Sequence, residues 1–464
     1  AASDVYKRQL LPRAMGNSME LTLDGVLPAR LAVGRGQLQL VRGHIDPGAG
    51  KVTGLALSRP MKPDSRVELF CAPGAERLEF VVTIPWQAED AGCSHAIELT
   101  VHGGEGAENT FALGVVELLD AESVADIAPT YLLGDPPLIA VCMASYNAPF
   151  GRLMRQIESI RSQSYTNWQL IICDDASEAM PWREIEALRE QDPGRIRIYR
   201  HEENLGFYRN FERALSYVPE NADLVALADQ DDEWYPEKLE VLAGQLQRDP
   251  EVMLVYSDMR VVDDTGAVIS DTYWRHRRNE YRDFSSVLIT NTVTGAASLF
   301  RRELLEVILP FPQASDTVFH DHWIACAAMA SGKLAYIPEP LYDYIQYADS
   351  VIGHCDADPD PLYSRLVKQF DSATGEGGAA EDKWLWVYFR DCLRLRTIAH
   401  TLRMRLPESR VQTKLKLVDG GYASMIRLSL HYLGGLLAGR KSGAAELGLI
   451  RGLMAAEQAK GRCR

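Results

Sequence analysis

Residues 223–240 read DLVALADQDDEWYPEKLE, an apolar run that breaks into three carboxylates within four residues. LVALA has no polar face to turn to water, so it predicts a strand covered on both sides, as in a parallel sheet. Asp229, Asp231 and Asp232 then stand at its carboxyl end, where open α/β sheets place their ligands. Carboxylates this close repel one another unless a cation sits among them. Mg2+ or Mn2+ takes hard oxygen ligands of this kind and neutralises a bound diphosphate. A solvated acidic turn or a helix cap is the plainer alternative.

The same texture repeats outward. LIAVCMA (138–144) precedes a helix predicted over 150–163, WQLIICD (168–174) one over 181–190, and RIRIY (195–199) one over 206–217. A further helix at 236–247 leads into VMLVYSD (252–258). Such alternation predicts an α/β domain with a buried, mostly parallel sheet over 138–354. Before it, MELTLDG, KVTGLALS, LEFVVTIP and AIELTVHGG are short alternating segments parted by Gly and Pro, an all-β sandwich over 13–125. That sandwich carries no carboxylate pair or ligand cluster, so a structural or carbohydrate-contacting role is expected. Residues 126–137 read as a linker ending in Pro-Pro, and 355–464 as a helical C-terminal region. DVYKRQ at 4–9 resembles a translated sequencing adapter and no Met precedes it, so residues 1–12 are set apart as non-native.

A length of 464 residues, 46% hydrophobic and 24% charged, suits more than one globular domain. The net charge of -15 argues against nucleic acid, which needs clustered Lys and Arg. Eight scattered cysteines without a CxxC pair indicate a reducing, cytoplasmic setting. No apolar run is long enough for a membrane span. Residues 381–464 carry 16 Lys and Arg against 7 Asp and Glu, a basic end on an acidic chain. Within them SMIRLSLHYLGGLLAG (424–439) predicts either a helix packed on the 138–354 domain or a helix lying at an anionic lipid surface.

The other strand ends carry candidate ligand residues. Ser145 and Tyr146 suit a base or ribose, although such residues also end strands as turn formers. In Asp174-Asp175 one carboxylate must face the crevice, where it would accept the imide N–H of uracil or thymine, unless the pair caps the next helix. Asn291-Thr292-Val293-Thr294-Gly295-Ala296 and His320-Asp321-His322-Trp323 follow. Asp321 is a candidate general base for an acceptor hydroxyl, or a helix cap, and Trp323 offers a ring to stack on a sugar. Zinc on His320, Asp321 and His322 is disfavoured, because adjacent helical positions diverge.

AVCMASYN, QSYTNWQLIICDDAS, ENLGFYRNFERAL, ALADQDDEWYPEKLE, NTVTGAASLF and HDHW, in this order, resemble the family 2 glycosyltransferases, and within them the bacterial rhamnosyltransferase-like members, over about residues 138–354. The resemblance implies a GT-A fold, a divalent cation and an inverting hexosyl transfer from a UDP- or dTDP-sugar to a glycan or lipid-linked acceptor, in cell-surface polysaccharide synthesis. It places the pyrimidine on Asp175 and the metal and ribose on Asp229, Asp231 and Asp232. It also places the base on Asp321, and donor contacts on Ser145, Tyr146, Asn204, Gly206, Asn210, Thr294 and Gly295. One segment departs: where the family has Arg, His and Asn after its last strand, this chain has Ile345, Tyr347 and Ser350. His354 from a shifted register, or the stretch Tyr273–Arg278, is an alternative source of positive charge. The departure also admits a second reading, a catalytically silent scaffold subunit of a polysaccharide-assembly complex.

Overall fold

The computed structural model describes residues 9–10, 19–48, 51–60, 62, 64–72, 77–104, 107–120, 133–178, 182–275, 279–313, 319–347, 380–409, 411–437 and 444–463. Ser350, His354, residues 276–278, the 126–132 part of the linker and most of the adapter-like segment lie outside them. The chain divides into two units, residues 1–123 with 361–407 and 412–464, and residues 124–360 with 408–411.

In the first unit the alternating segments form two facing sheets. One contains β1 (Gln9–Leu10), β2 (Glu20–Leu23), β4 (Gln37–Asp46), β6 (Arg66–Cys71) and β7 (Leu78–Trp86), in the order β1-β2-β4-β7-β6. The other contains β3 (Arg30–Ala32), β5 (Val52–Arg59), β8 (Ser94–Gly103) and β9 (Glu108–Leu119), in the order β3-β9-β8-β5. Inward residues of both, including Leu21, Phe80, Val82, Trp86, Ile97, Leu99 and Leu113, share one core. The C-terminal helices belong to this unit, and the helix Gly421–Leu437 packs on Ala444–Arg462. One of the two readings placed that helix on the 138–354 domain; within the first unit the helical region meets β6 through Phe70, packed on Tyr388 and Phe389, and through Glu68. Glu68 accepts from Arg396 at 2.7 Å and from Lys460 at 2.6 Å. Burial alone would raise its pKa, but the two cations outweigh it and hold the carboxyl down to about 2.

The second unit is the α/β domain. Its strands are β10 (Ile139–Ser145), β11 (Trp168–Asp174), β12 (Ile196–Arg200), β13 (Leu224–Ala228), β14 (Glu233–Trp234), β15 (Val252–Asp263), β16 (Val268–Ser270), β17 (Ser298–Arg301) and β18 (Lys333–Gln346). The sheet runs β12-β11-β10-β13-β17-β15-β18-β14, with β16 beside β15. The block β12-β11-β10-β13 is parallel, as the apolar runs predict. Helices α1 (Phe150–Arg161), α2 (Trp182–Gln191), α3 (Phe207–Ser216) and α4 (Lys238–Arg248) connect its strands, with α5 (Phe284–Ile289), α6 (Leu305–Ile308) and α7 (His320–Ser331) beyond. Three short strands, β14, β16 and β17, were not foreseen. The four-residue β17 inserts antiparallel between β13 and β15. The expected layout is therefore observed: a mostly parallel α/β domain, after a β-sandwich and before a helical end.

Candidate active site

Because β10, β11 and β13 are parallel and in register, their carboxyl ends fall on one edge, and that edge gathers the sequence motifs. Both neighbouring turns need unusual backbone: Asn147 has φ 45° and Ala176 φ 58°. Side chains hold these left-handed positions in place. Ser177 Oγ accepts from Asn147 N–H at 2.8 Å, and Asn147 Oδ1 accepts from Glu178 N–H at 3.0 Å. Gln230 clamps the same turn from the acidic loop, accepting from Tyr146 N–H at 2.8 Å and donating to its carbonyl at 3.3 Å. Tyr146 keeps its ring 47% exposed beside this clamp. Ser145 is buried, and its hydroxyl has no hydrogen-bond partner among the described residues.

The Asp174-Asp175 pair differs from expectation, since neither carboxylate opens to solvent. Asp174 caps the turn by accepting from the N–H and hydroxyl of Ser177. Asp175 accepts from Leu205 N–H at 2.7 Å and Gly206 N–H at 2.9 Å. It thereby anchors the loop where Gly206 takes φ 80° before α3. Asn204 is exposed and donates to Asp175 O at 3.3 Å. Asn210, expected as a donor contact, is buried; its amide nitrogen donates to the Ser145 and Cys173 carbonyls and its Oδ1 accepts from His201 Nε2 at 3.0 Å. It ties strands together through these bonds. An open depression of about 500 Å3 lies alongside, lined by Ala176, Ser177, Glu178, Arg200, His201 and Glu202.

The three carboxylates after β13 are not equivalent. Asp229 and Asp231 are half-buried, whereas Asp232 is 1% exposed with Oδ2 lacking any hydrogen-bond partner among the described residues. Burial, then the neighbouring charges of Asp231 and Asp321, pushes Asp229 up to about 7. Asp232 is raised further by burial and by Asp229 and Asp231, opposed by Lys238. Lys238 is fully buried, 3.8 Å above the Trp234 ring centroid and 4.2 Å above that of Tyr342, and it donates to Ala296 O. Burial drives its pKa well down, and the pull of Asp232 and Asp229 counters this.

Among the described residues, no three His, Cys, Asp or Glu side chains group so as to hold a metal ion by themselves. The expected three-carboxylate site is corrected accordingly, because Asp232 turns inward within the field of Lys238. What remains fits a different kind of site. Mg2+ is commonly held by one or two carboxylates with substrate phosphates completing its shell, and the half-buried Asp229 and Asp231 are two hard ligands of that kind.

Asp321 sits in the first turn of α7, half-buried, with His322 N–H donating to its Oδ1 at 2.7 Å. Burial raises its carboxyl to about 7 against the hydrogen bonds from His322, Gly295 and Asn291. Gly295 is glycine for a steric reason: a Cβ there would lie 2.7 Å from His320 Nε2 and 3.6 Å from Asp321 Cβ. Thr294 caps the short turn that carries it. His320 stacks on Phe211 at 3.9 Å, and burial lowers it to about 3, so it is a neutral packing residue. Trp323 corrects another expectation. It is fully buried and donates to Ile308 O at 3.0 Å, which leaves no face for a sugar.

Two cationic residues escaped the sequence reading. Lys238 lies on the stripe of Leu242 and Leu246, which marks it as inward-facing and was a usable signal. Arg152 of α1 lies 3.4 Å above the Tyr347 ring, and Tyr347 donates to Asp231 O at 3.4 Å. No local pattern announces that approach. Ile345, on the departing segment, is buried, and its backbone hydrogen-bonds to Asp232.

A family model described as Glycosyl transferase family 2 matches residues 140–309. EpsE of Bacillus subtilis is 33% identical over 130 residues, 28% of this chain and 46% of EpsE. The Escherichia coli UDP-Glc:alpha-D-GlcNAc-diphosphoundecaprenol beta-1,3-glucosyltransferase WfgD is 28% identical over 134 residues, 29% of this chain and 50% of WfgD. The matches thus span about half the length of these relatives. Among solved structures, S. aureus TarS 1–349 has a TM-score of 0.41 at 13% identity, covering 70% of this chain and 92% of that one. The mannosyltransferase PcManGT from Pyrobaculum calidifontis, solved with GDP-Man and Mn2+, has a TM-score of 0.39 at 20% identity, covering 73% and 90%. Residues 140–309 of this chain are a glycosyl transferase family 2 domain.

Proposed function

We propose that this domain moves a sugar from a nucleoside-diphosphate donor to a hydroxyl of a glycan or lipid-linked saccharide, with inversion, in cell-surface polysaccharide synthesis. One observation carries the reading: the acidic loop after β13 and Asp321 of α7 are near enough that the charge of Asp321 raises Asp229. An acidic diphosphate site and a buried carboxyl poised near neutrality are what single displacement requires. In this scheme Asp321 takes the proton of the acceptor hydroxyl. That oxygen bonds to the anomeric carbon while the carbon–phosphate-oxygen bond breaks, and the nucleoside diphosphate departs with the electron pair. A divalent cation on Asp229 and Asp231, with Asp232 behind them, would neutralise charge on the leaving diphosphate.

Tyr146 and Asn204 line the base and ribose end, on the loop that Asp175 anchors. Thr294 and Gly295 shape the wall beside Asp321. Arg152 supplies the positive charge that Ile345 and Tyr347 do not. Among the described residues no helix is long and apolar enough to cross a membrane. WfgD is named for a diphosphoundecaprenol-linked acceptor, which supports a lipid-linked one here. A panel of UDP-, dTDP- and GDP-sugars, dTDP-rhamnose included, assayed for Mn2+-dependent hydrolysis tests the reading. Turnover that disappears in Asp321→Asn while donor binding persists supports it. Binding without turnover for every donor would instead favour the silent scaffold reading.

A further inference from the structure

The helix Gly421–Leu437 has two faces of opposite fate. Ser424, Met425, Leu428 and Gly435 are buried within its unit. On the other side Tyr422, Ile426, Leu430, Leu433, Leu436 and Leu437 are between 44% and 91% exposed. Their spacing of three and four residues aligns them in one stripe, about 25 Å long at 1.5 Å per residue. An apolar patch of that extent on a folded surface marks an interaction site.

The charge around the stripe selects the occupant. No Asp or Glu occurs from Gly420 to Ala445, although the whole chain carries 64 acidic residues, and the described helix carries Arg427 beside the stripe. Pairing the stripe with a second copy would set basic residues against basic residues with no acid to offset them. An anionic bilayer offers apolar depth for the leucines and negative headgroups for the rim. Tyr422 at one end adds an amphipathic ring of the kind found at headgroup level. We propose that this exposed face lies in the interfacial layer of an anionic membrane, seating the chain on the bilayer without crossing it. The inference rests on no donor or acceptor chemistry and stands apart from the transferase reading.

Co-sedimentation of the full chain with vesicles of phosphatidylglycerol mixed with phosphatidylcholine, and of phosphatidylcholine alone, tests it. Binding to the mixed vesicles is expected, weakened by salt and weaker on phosphatidylcholine alone. Leu430→Glu with Leu433→Glu should lower the partition constant at least about tenfold with an unchanged melting temperature, since both side chains face solvent. Arg427→Gln should reduce the salt dependence. Unaltered binding by the double variant, or no binding by the wild type, overturns the proposal. So does a dimer in sedimentation velocity that the double variant dissolves.

Discussion

Replacing Asp321 with Asn removes a charge and little else, and its effect should depend on pH in a way set by burial. The carboxyl rises from 3.8 to about 7 in the folded chain. Between those values the native state keeps a proton that the unfolded chain has lost, so wild-type stability falls as pH rises through that window and levels off above it. Three pH units correspond to about 4 kcal/mol. Solvent reaches part of the side chain, so about half of that is the reasonable expectation. Asn carries no such penalty, although it gives up one acceptor for the surrounding N–H groups, a cost that does not vary with pH.

The informative quantity is therefore the difference between variant and wild type at two pH values. From about pH 5 to about pH 8.5 the advantage of Asp321→Asn should grow by about 1–2 kcal/mol, or ~2–8 °C in melting temperature for a domain of this size. Differential scanning fluorimetry at matched ionic strength suffices. A difference that stays flat with pH would show that Asp321 is not held as a buried acid, and the base assignment would lose its physical ground. Relief at Asp229 adds in the same direction, because part of its shift comes from Asp321.

Asp231→Ala with Asp232→Ala should abolish the Mn2+ dependence of UDP binding, read by calorimetry with and without the ion. Arg152→Ala should weaken the same binding about tenfold by removing a charge-assisted contact, without altering the urea midpoint. Lys238→Met should destabilise the domain by about 1–3 kcal/mol, since it leaves the Ala296 carbonyl without its buried donor; equilibrium unfolding measures this. Asp175→Asn sets an amide against the Leu205 or Gly206 N–H and should cost about 1–3 kcal/mol, with faster hydrogen exchange at those two amides.

The parallel block was legible because fully covered strands write themselves as unbroken apolar runs, each ending where the next polar residue must lie at the edge. LVALA followed by DQDD located the acidic loop, and HDHW located Asp321. Direction was harder to read. Trp323 follows Asp321 by two residues, and only the turn of α7 decides that one faces the site and the other the core. Asp175 was read as an open acceptor because its partners, the amides of Leu205 and Gly206, are thirty residues downstream. β17 is four residues long and buried throughout, so it shows no alternation to betray it. The carboxylates of the loop were treated alike because sequence spacing does not reveal that Asp232 turns inward near Lys238.

The first unit is written on both sides of residues 124–360, so the α/β domain is inserted between its halves. A growing polypeptide therefore makes the sandwich first and must wait for more than three hundred residues before Arg396 and Lys460 arrive at Glu68. Until then β6 shows water a carboxylate with no mate and the ring of Phe70, which in the finished chain rests against Tyr388 and Phe389. The inserted domain, whose strands are contiguous, has no such wait and can mature earlier on the ribosome. Translation that stops before Lys460 would then release a sound α/β domain tethered to a half-built, adhesive companion, which is the product that quality control would meet.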